Sequence, residues 1–218
     1  MSRKLYAAFV PLLAIAAFVV APAVAQAQPH WYSNGVRIKE GTKEKPNKVA
    51  ITTSTRTGKL RLEDATLGKH IESTIADCGF VWNPAGGGAG EDEITCFTET
   101  NTVGNVCKEG EKETTKPTKL PWKTILLAGP PIRDEIIGAE IDIECNGVVV
   151  ATYEGNLTPE IKNGAPVATC KEATDSFAEF GTGSGFLTNT ATGTKATVTG
   201  KDFIEGPAGD RCLTAKNP

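Results

Sequence analysis

The sequence predicts an all-β protein, an antiparallel β-sandwich or barrel built from hairpins and stabilised by disulfides. Three observations carry this. Apolar and polar residues alternate with period two on both sides of an Asn-Gly step, turn signals recur every ten to twenty residues, and six cysteines follow an export leader.

The alternation is cleanest in IIGAEIDIECNGVVVATYEG, Ile136 to Gly155. Ile137, Ala139, Ile141, Ile143 and Cys145 fall on one face of a strand, and Glu140, Asp142 and Glu144 on the other. Asn146-Gly147 supplies the two positive φ angles that a type I′ hairpin needs. That turn sets Val148 opposite Cys145, Val150 opposite Ile143 and Thr152 opposite Ile141. The same register would point Glu154 inward opposite Ala139, so the strand is expected to end or bulge there.

The other turns repeat the pattern. Asn34-Gly35 pairs Trp31 with Ile38, Thr57-Gly58 joins a strand bearing Ile51 and Thr53 to one bearing Leu60 and Leu62, and Thr192-Gly193 sets Leu187 opposite Val198. A further Asn-Gly step stands at Asn163-Gly164. Outside the leader no window sustains apolar residues at helical spacing. Lys108 to Lys119, KEGEKETTKPTK, lacks apolar residues and reads as an exposed loop. Residues 28–218 are expected to form a single all-β domain, with a subdivision, if there is one, near 108–120.

Residues 1–27 read as a secretory signal peptide. Arg3 and Lys4 precede an apolar run from about Leu5 to Val20, and Ala23, Ala25 and Ala27 offer small-residue cleavage sites after Ala25 or Ala27. No other segment is apolar for long enough to span a bilayer. Without Arg3 and Lys4, 21 of the 23 basic residues remain against 26 acidic ones. That mildly acidic balance argues against nucleic acid as a partner. In an oxidising compartment the even count of cysteines, Cys78, Cys96, Cys107, Cys145, Cys170 and Cys212, reads as three disulfides. Cys96 with Cys107 is the expected local pair, and the remaining pairings stay open.

Sites of chemistry are harder to find. NPAGGGAGEDEITC, Asn83 to Cys96, puts glycines ahead of Glu91, Asp92 and Glu93. A phosphate cradle needs a helix N-terminus and usually a lysine, and adjacent carboxylates in an extended chain point alternately apart, so a hairpin connection is expected. Glu140, Asp142 and Glu144 lie roughly 7 Å apart along one face, a spacing that glycosidase carboxylates use but that solvated outer faces share. His30, His70 and Ser184 match no nucleophilic motif. Trp31, Trp82 and Trp122 could stack on sugar rings, core packing being the default for each. On the strands flanking the glycines, Cys78, Phe80 and Trp82 share one face, and Ile94 and Cys96 share another.

Together HWYSNGVRIKEGT, GFVWNPAGGGAG, LPWKT, GPPIRDEI and ATVTGKD resemble a set of small secreted bacterial β-rich proteins of unknown function. The resemblance implies export and a β-rich fold, and brings no catalytic residues. The expected function is that of a non-catalytic extracellular or cell-envelope protein, a binding or structural module. No cofactor, metal or catalytic residue is expected, and the partner is an extracellular ligand, with a glycan as one candidate. A carbohydrate-binding module and a secreted hydrolase acting through carboxylates are the alternatives.

Overall fold

In the computed structural model residues 28–164, 176–206 and 213–218 are described, so Cys170 and Cys212 lie outside the described residues. The described strands are β1 (His30–Ser33), β2 (Val36–Arg37), β3 (Val49–Ser54), β4 (Leu60–Asp64), β5 (Lys69–Trp82), β6 (Glu91–Gly104), β7 (Glu113–Thr118), β8 (Trp122–Leu127), β9 (Arg133–Cys145), β10 (Val148–Leu157), β11 (Glu160–Lys162), β12 (Phe177–Phe180), β13 (Leu187–Asn189), β14 (Lys195–Glu205) and β15 (Leu213–Lys216). Among the described residues there is no helix.

Four pairs of these strands are single staves interrupted midway. β3 and β4 run in the same direction along β5, with Ser54 opposite Ala76 and Leu60 opposite Ser73. β7 and β8 do so along β9, as do β10 and β11, and β12 and β13 follow β14. Counted this way, eight antiparallel staves follow one another in chain order. β14 closes the ring by pairing with β3 (Phe203 with Ser54) and β4 (Val198 with Leu62). The fold is therefore an up-and-down barrel rather than a sandwich. Eight strands leave an interior just wide enough to be filled by side chains or to hold one small ligand. A three-stranded sheet, β15-β1-β2, covers one end, where Trp31, Leu213 and Ala215 pack on Ile51, Val81, Leu126, Ile161 and Ile204. A second cluster, including Leu62, Ile71, Trp122, Ile143, Tyr153 and Leu187, fills the other half.

The turn residues behave as expected in two hairpins. Asn34 and Gly35 have φ of 51° and 76°, and Asn146 and Gly147 have 52° and 81°. Val148 does oppose Cys145, but a bulge after Val149 sets Ala151 opposite Ile143 and Tyr153 opposite Ile141. Val150, expected opposite Ile143, is exposed, and Tyr153 is buried with its hydroxyl 3.2 Å from Asp64. The extra residue also turns Glu154 outward opposite Glu140, which relieves the buried charge that the unbroken register would have created. A second phase shift lies at Gly138, φ +66°, and leaves Ile137 exposed while Ile136 and Ala139 are both buried.

Three further expectations are corrected. Thr57-Gly58 does not make a hairpin, because β3 and β4 continue one stave and both pair with β5. Leu187 faces Ala196, not Val198. Lys108 to Lys119 is not simply an exposed loop, since β7 lies within it and pairs with β9 from Glu113–Cys145 to Thr118–Glu140. The segment ETTKPT, whose one apolar residue is Pro117, is enough for a strand when its partner provides the core face.

Among the described residues two disulfides are formed, Cys78–Cys96 across β5 and β6, and Cys107–Cys145 from just beyond β6 to the end of β9. The expected Cys96–Cys107 pair is thus overturned. β6 stays extended from Cys96 to Gly104, and at about 3.3 Å per residue it carries Gly104, where the chain leaves the strand toward Cys107, roughly 25 Å away. Non-reducing peptide mapping is expected to recover Cys78 linked to Cys96 and Cys107 linked to Cys145; a Cys96–Cys107 peptide would contradict the barrel register itself.

Candidate functional site

The barrel interior is two apolar halves separated by a belt of carboxylates. Thr53 (β3), Asp77 (β5), Asp92 (β6), Thr124 (β8), Asp134 (β9) and Asp202 (β14) occupy inward positions, and all but Thr53 are buried. Register places them side by side: Thr53 opposes Asp77, Asp92 opposes Thr124, and Asp134 opposes Leu126 one step along. The four aspartates line a cavity of about 120 Å³ whose other walls are mostly apolar, among them Trp31, Ile75, Val81, Trp122 and Ile136. None of its lining residues is Lys, Arg or His.

Hydrogen bonding in the belt is incomplete. Thr53 Oγ1 lies within bonding distance of Asp77 Oδ1 and 2.6 Å from Asp202 Oδ2. A hydroxyl carries one hydrogen, so it can donate to only one of the two, and the other contact requires a protonated carboxyl donating to Thr53. Asp92 Oδ2, Asp134 Oδ1, Asp202 Oδ1, Thr124 Oγ1 and Trp31 Nε1 are buried with no hydrogen-bond partner among the described residues. Asp64, by contrast, is buried and satisfied, accepting from Leu67 N at 3.1 Å, Tyr153 Oη at 3.2 Å and Thr194 Oγ1. It is a structural carboxylate, and the belt is different.

Burial pushes the carboxyls of Asp77 and Asp134 up to about 6. Asp92 is held well above the usual carboxylate range, first by burial and then by the charge of Asp134, and Asp202 likewise by burial and then by Asp77.

The wall beside the cavity has one seam. β6 pairs with β8 only over Glu91 to Ile94, and no ladder joins β6 to β7 among the described residues. Glu99 spans the seam instead, accepting from the backbone N and hydroxyl of Thr115 and from Ser73 Oγ at 3.0 Å. Outside it lies a groove of about 570 Å³ between residues 99–104 and 111–114.

The residues singled out in the sequence are distributed differently. Asn83 to Gly90 is indeed a hairpin connection, with Gly86 and Gly87 at positive φ, but it also latches the end sheet. Asn83 Oδ1 accepts from Trp31 N at 2.8 Å, while its Nδ2 donates to Trp31 O at 2.9 Å and Ile38 O at 2.8 Å. Gly90 packs so closely that a Cβ would stand 2.7 Å from Trp31. Of the acidic trio, Asp92 points inward to the belt while Glu91 and Glu93 are half-exposed. Glu140, Asp142 and Glu144 are half-buried rather than openly solvated: Glu140 is engaged by Lys119 and Thr118, Asp142 by Thr152 Oγ1 at 2.6 Å, and Glu144 by Lys116 at 3.8 Å.

Trp31, Trp82 and Trp122 are all buried, so they form no exposed platform. Trp31 and Trp122 instead line the cavity, while Trp82 lies under Lys48, whose Nζ is 4.7 Å from a ring centroid of Trp82 and 5.5 Å from that of Phe80. Cys78, Phe80 and Trp82 do share a face of β5, but the inward set is Ile71, Ile75, Asp77 and Val81. Ser184 is buried in the β12–β13 connection and accepts from Gly181 N at 3.0 Å. His70 lies on β5, and no hydrogen bond joins it to Ser184 among the described residues. Among the described residues the closest approach to a metal-ligating cluster, Cys107, Glu111 and Cys145, has its two sulfurs joined to each other.

Comparison with known proteins gives no significant match to a family model, a curated protein or a solved structure.

Proposed function

We propose that this chain is a non-catalytic binding protein, exported after loss of residues 1–27, that encloses one small ligand within its barrel. The cavity of about 120 Å³ carries the reading, being an apolar-walled space with polar groups at fixed points, the composition typical of ligand sites. The seam between β6 and β7 is the route by which a ligand would enter. Two disulfides support an oxidising compartment, as does the resemblance to small secreted β-rich proteins. The glycan reading loses its basis in Trp31, Trp82 and Trp122, none of which is exposed.

The binding reading is checked by titrating the folded, oxidised chain with hexanol while following its amide spectrum by NMR. Saturable shifts at residues lining the cavity are expected in the wild-type protein. Filling the space with Ala139→Leu is expected to abolish them, because Ala139 is buried on the cavity wall. Shifts confined to the outer surface, or unchanged in the filled variant, would remove the reading.

A carboxylate hydrolase is the second reading, favoured by two buried carboxyls on the cavity wall, Asp92 and Asp134, that burial holds above the usual carboxylate range. Turnover of small esters or glycosides by the wild-type chain, lost in Asp92→Asn, would support it over the first.

A further inference from the structure

We propose, resting on the binding reading above, that the ligand is a small primary ammonium compound with a short apolar body, its nitrogen held among Asp92, Asp134 and Asp202. Three carboxylate oxygens, Asp92 Oδ2, Asp134 Oδ1 and Asp202 Oδ1, are buried, lack partners and belong to residues that line the cavity. Buried carboxylates without partners are costly, and what each one lacks is a hydrogen-bond donor. An ammonium group brings three donors and the positive charge that the lining residues do not supply. A neutral alcohol brings a single donor and no charge.

The arrangement also discriminates among cations. Small hard ions need several oxygens converging on one point. Among the described residues the only group of three or more acidic or thiol ligands that converges so closely is Cys107, Glu111 and Cys145, away from the belt. The aspartates instead come from four different staves around the barrel, which suits a group whose hydrogens point several ways. Trp31, Phe97, Trp122 and Phe180 are among the walls, and aromatic rings favour an organic cation over a hydrated one. The remaining apolar walls fit a hydrocarbon body of limited length.

Binding of such a cation must displace the protons that otherwise keep the belt neutral. The groups that face one another across the cavity are Asp77, Asp92, Asp134 and Asp202, with Thr53 and Thr124 between them. All four acids release protons more readily as pH rises, whereas an alkylammonium stays charged to well above pH 8. Affinity is therefore expected to increase from pH 5 to pH 8.

The test is isothermal titration of the oxidised full-length mature chain with hexylamine, with hexanol as the uncharged control and calcium chloride as the inorganic one. One-to-one binding of hexylamine is expected, at least tenfold tighter than hexanol at pH 8 and at least tenfold tighter at pH 8 than at pH 5. Asp92→Asn and Asp202→Asn are each expected to weaken hexylamine at least tenfold and to remove its preference over hexanol, with the circular dichroism spectrum retained. Should either variant fail to fold, the wild-type pH profile decides. Equal affinity for hexylamine and hexanol, or hexylamine binding independent of pH, overturns the ammonium proposal and leaves the binding reading standing. Calcium binding without amine binding also overturns it. If neither organic probe enters, both readings fall together.

Discussion

Asn83→Ala is expected to destabilise the protein by about 3–5 kcal/mol. The Asn83 side chain is fully buried and makes three hydrogen bonds to the backbone of the end sheet, to Trp31 N, Trp31 O and Ile38 O. Trp31 O keeps a second donor in Ile38 N at 3.0 Å, so truncation leaves Trp31 N–H and Ile38 C=O as the unpaired groups. Each buried polar group left without a partner costs about 1–3 kcal/mol, and the small void adds to that. Because β1 holds β15 and positions Trp31 and Leu213 over Val81 and Leu126, loosening it exposes the apolar end of the barrel as well. Asn83→Asp separates the two components: it keeps the acceptor for Trp31 N but replaces the two donors by an anion facing two carbonyls, and should be worse at pH 7 than at pH 4. Urea unfolding with the disulfides intact measures both. A loss below about 1 kcal/mol for the alanine variant would mean that the latch is not what holds the end sheet.

The architecture was legible in the sequence wherever local chemistry alone decides geometry. Asn34-Gly35 and Asn146-Gly147 adopt the positive φ angles that their side chains permit, and the strands around them follow. What the sequence concealed was register. The bulge at Val150 and the phase shift at Gly138 each move one residue across the wall, and their cause is tertiary: Tyr153 and Ala139 fill the core while Glu154 is turned out of it. The belt was concealed for a related reason. Asp77 stands in phase with Ile71, Ile75 and Val81, and Asp202 in phase with Val198 and Ile204, so an aspartate at an inward position was visible once the inward face was known. On β5 the larger residues Cys78, Phe80 and Trp82 share the opposite face, so residue size does not mark the inward one. The disulfide and the Lys48 contact lie on that outer side. Charge attracted attention instead to Glu140, Asp142 and Glu144, which are matched by threonine and lysine neighbours and need nothing further.

Stability is expected to fall as pH rises from 5 to 8, the reverse of the usual behaviour of a protein with paired surface carboxylates. In the unfolded chain the four belt aspartates titrate near 3.8, whereas in the folded one burial raises Asp77 and Asp134 to about 6 and holds Asp92 and Asp202 well above 3.8. Between those values the folded state binds protons that the unfolded state has released, so raising the pH favours unfolding. The contribution is complete below about pH 4 and is lost as pH rises through 6 and beyond. At 1.36 kcal/mol per unit of displacement, Asp77 or Asp134 alone accounts for about 3 kcal/mol. His30 acts in the opposite direction, since burial and Arg37 lower its pKa and the unfolded chain gains a proton first as pH falls below 6.5. One histidine does not offset four aspartates, and Glu63 and Glu140, whose pKa values are lowered by Arg61 and Lys119, act only below about pH 4.5. Thermal or urea unfolding across pH 5–8 should therefore show a decline of several kcal/mol in the wild-type protein, flattened in Asp134→Asn, which should also be the more stable of the two at pH 8. A wild-type profile that is level or rises over this interval would show that the belt is already neutralised by something other than protons. Added hexylamine should restore stability at pH 8 and have little effect at pH 5, because a ligand stabilises only the state to which it binds, and the deprotonated belt is that state.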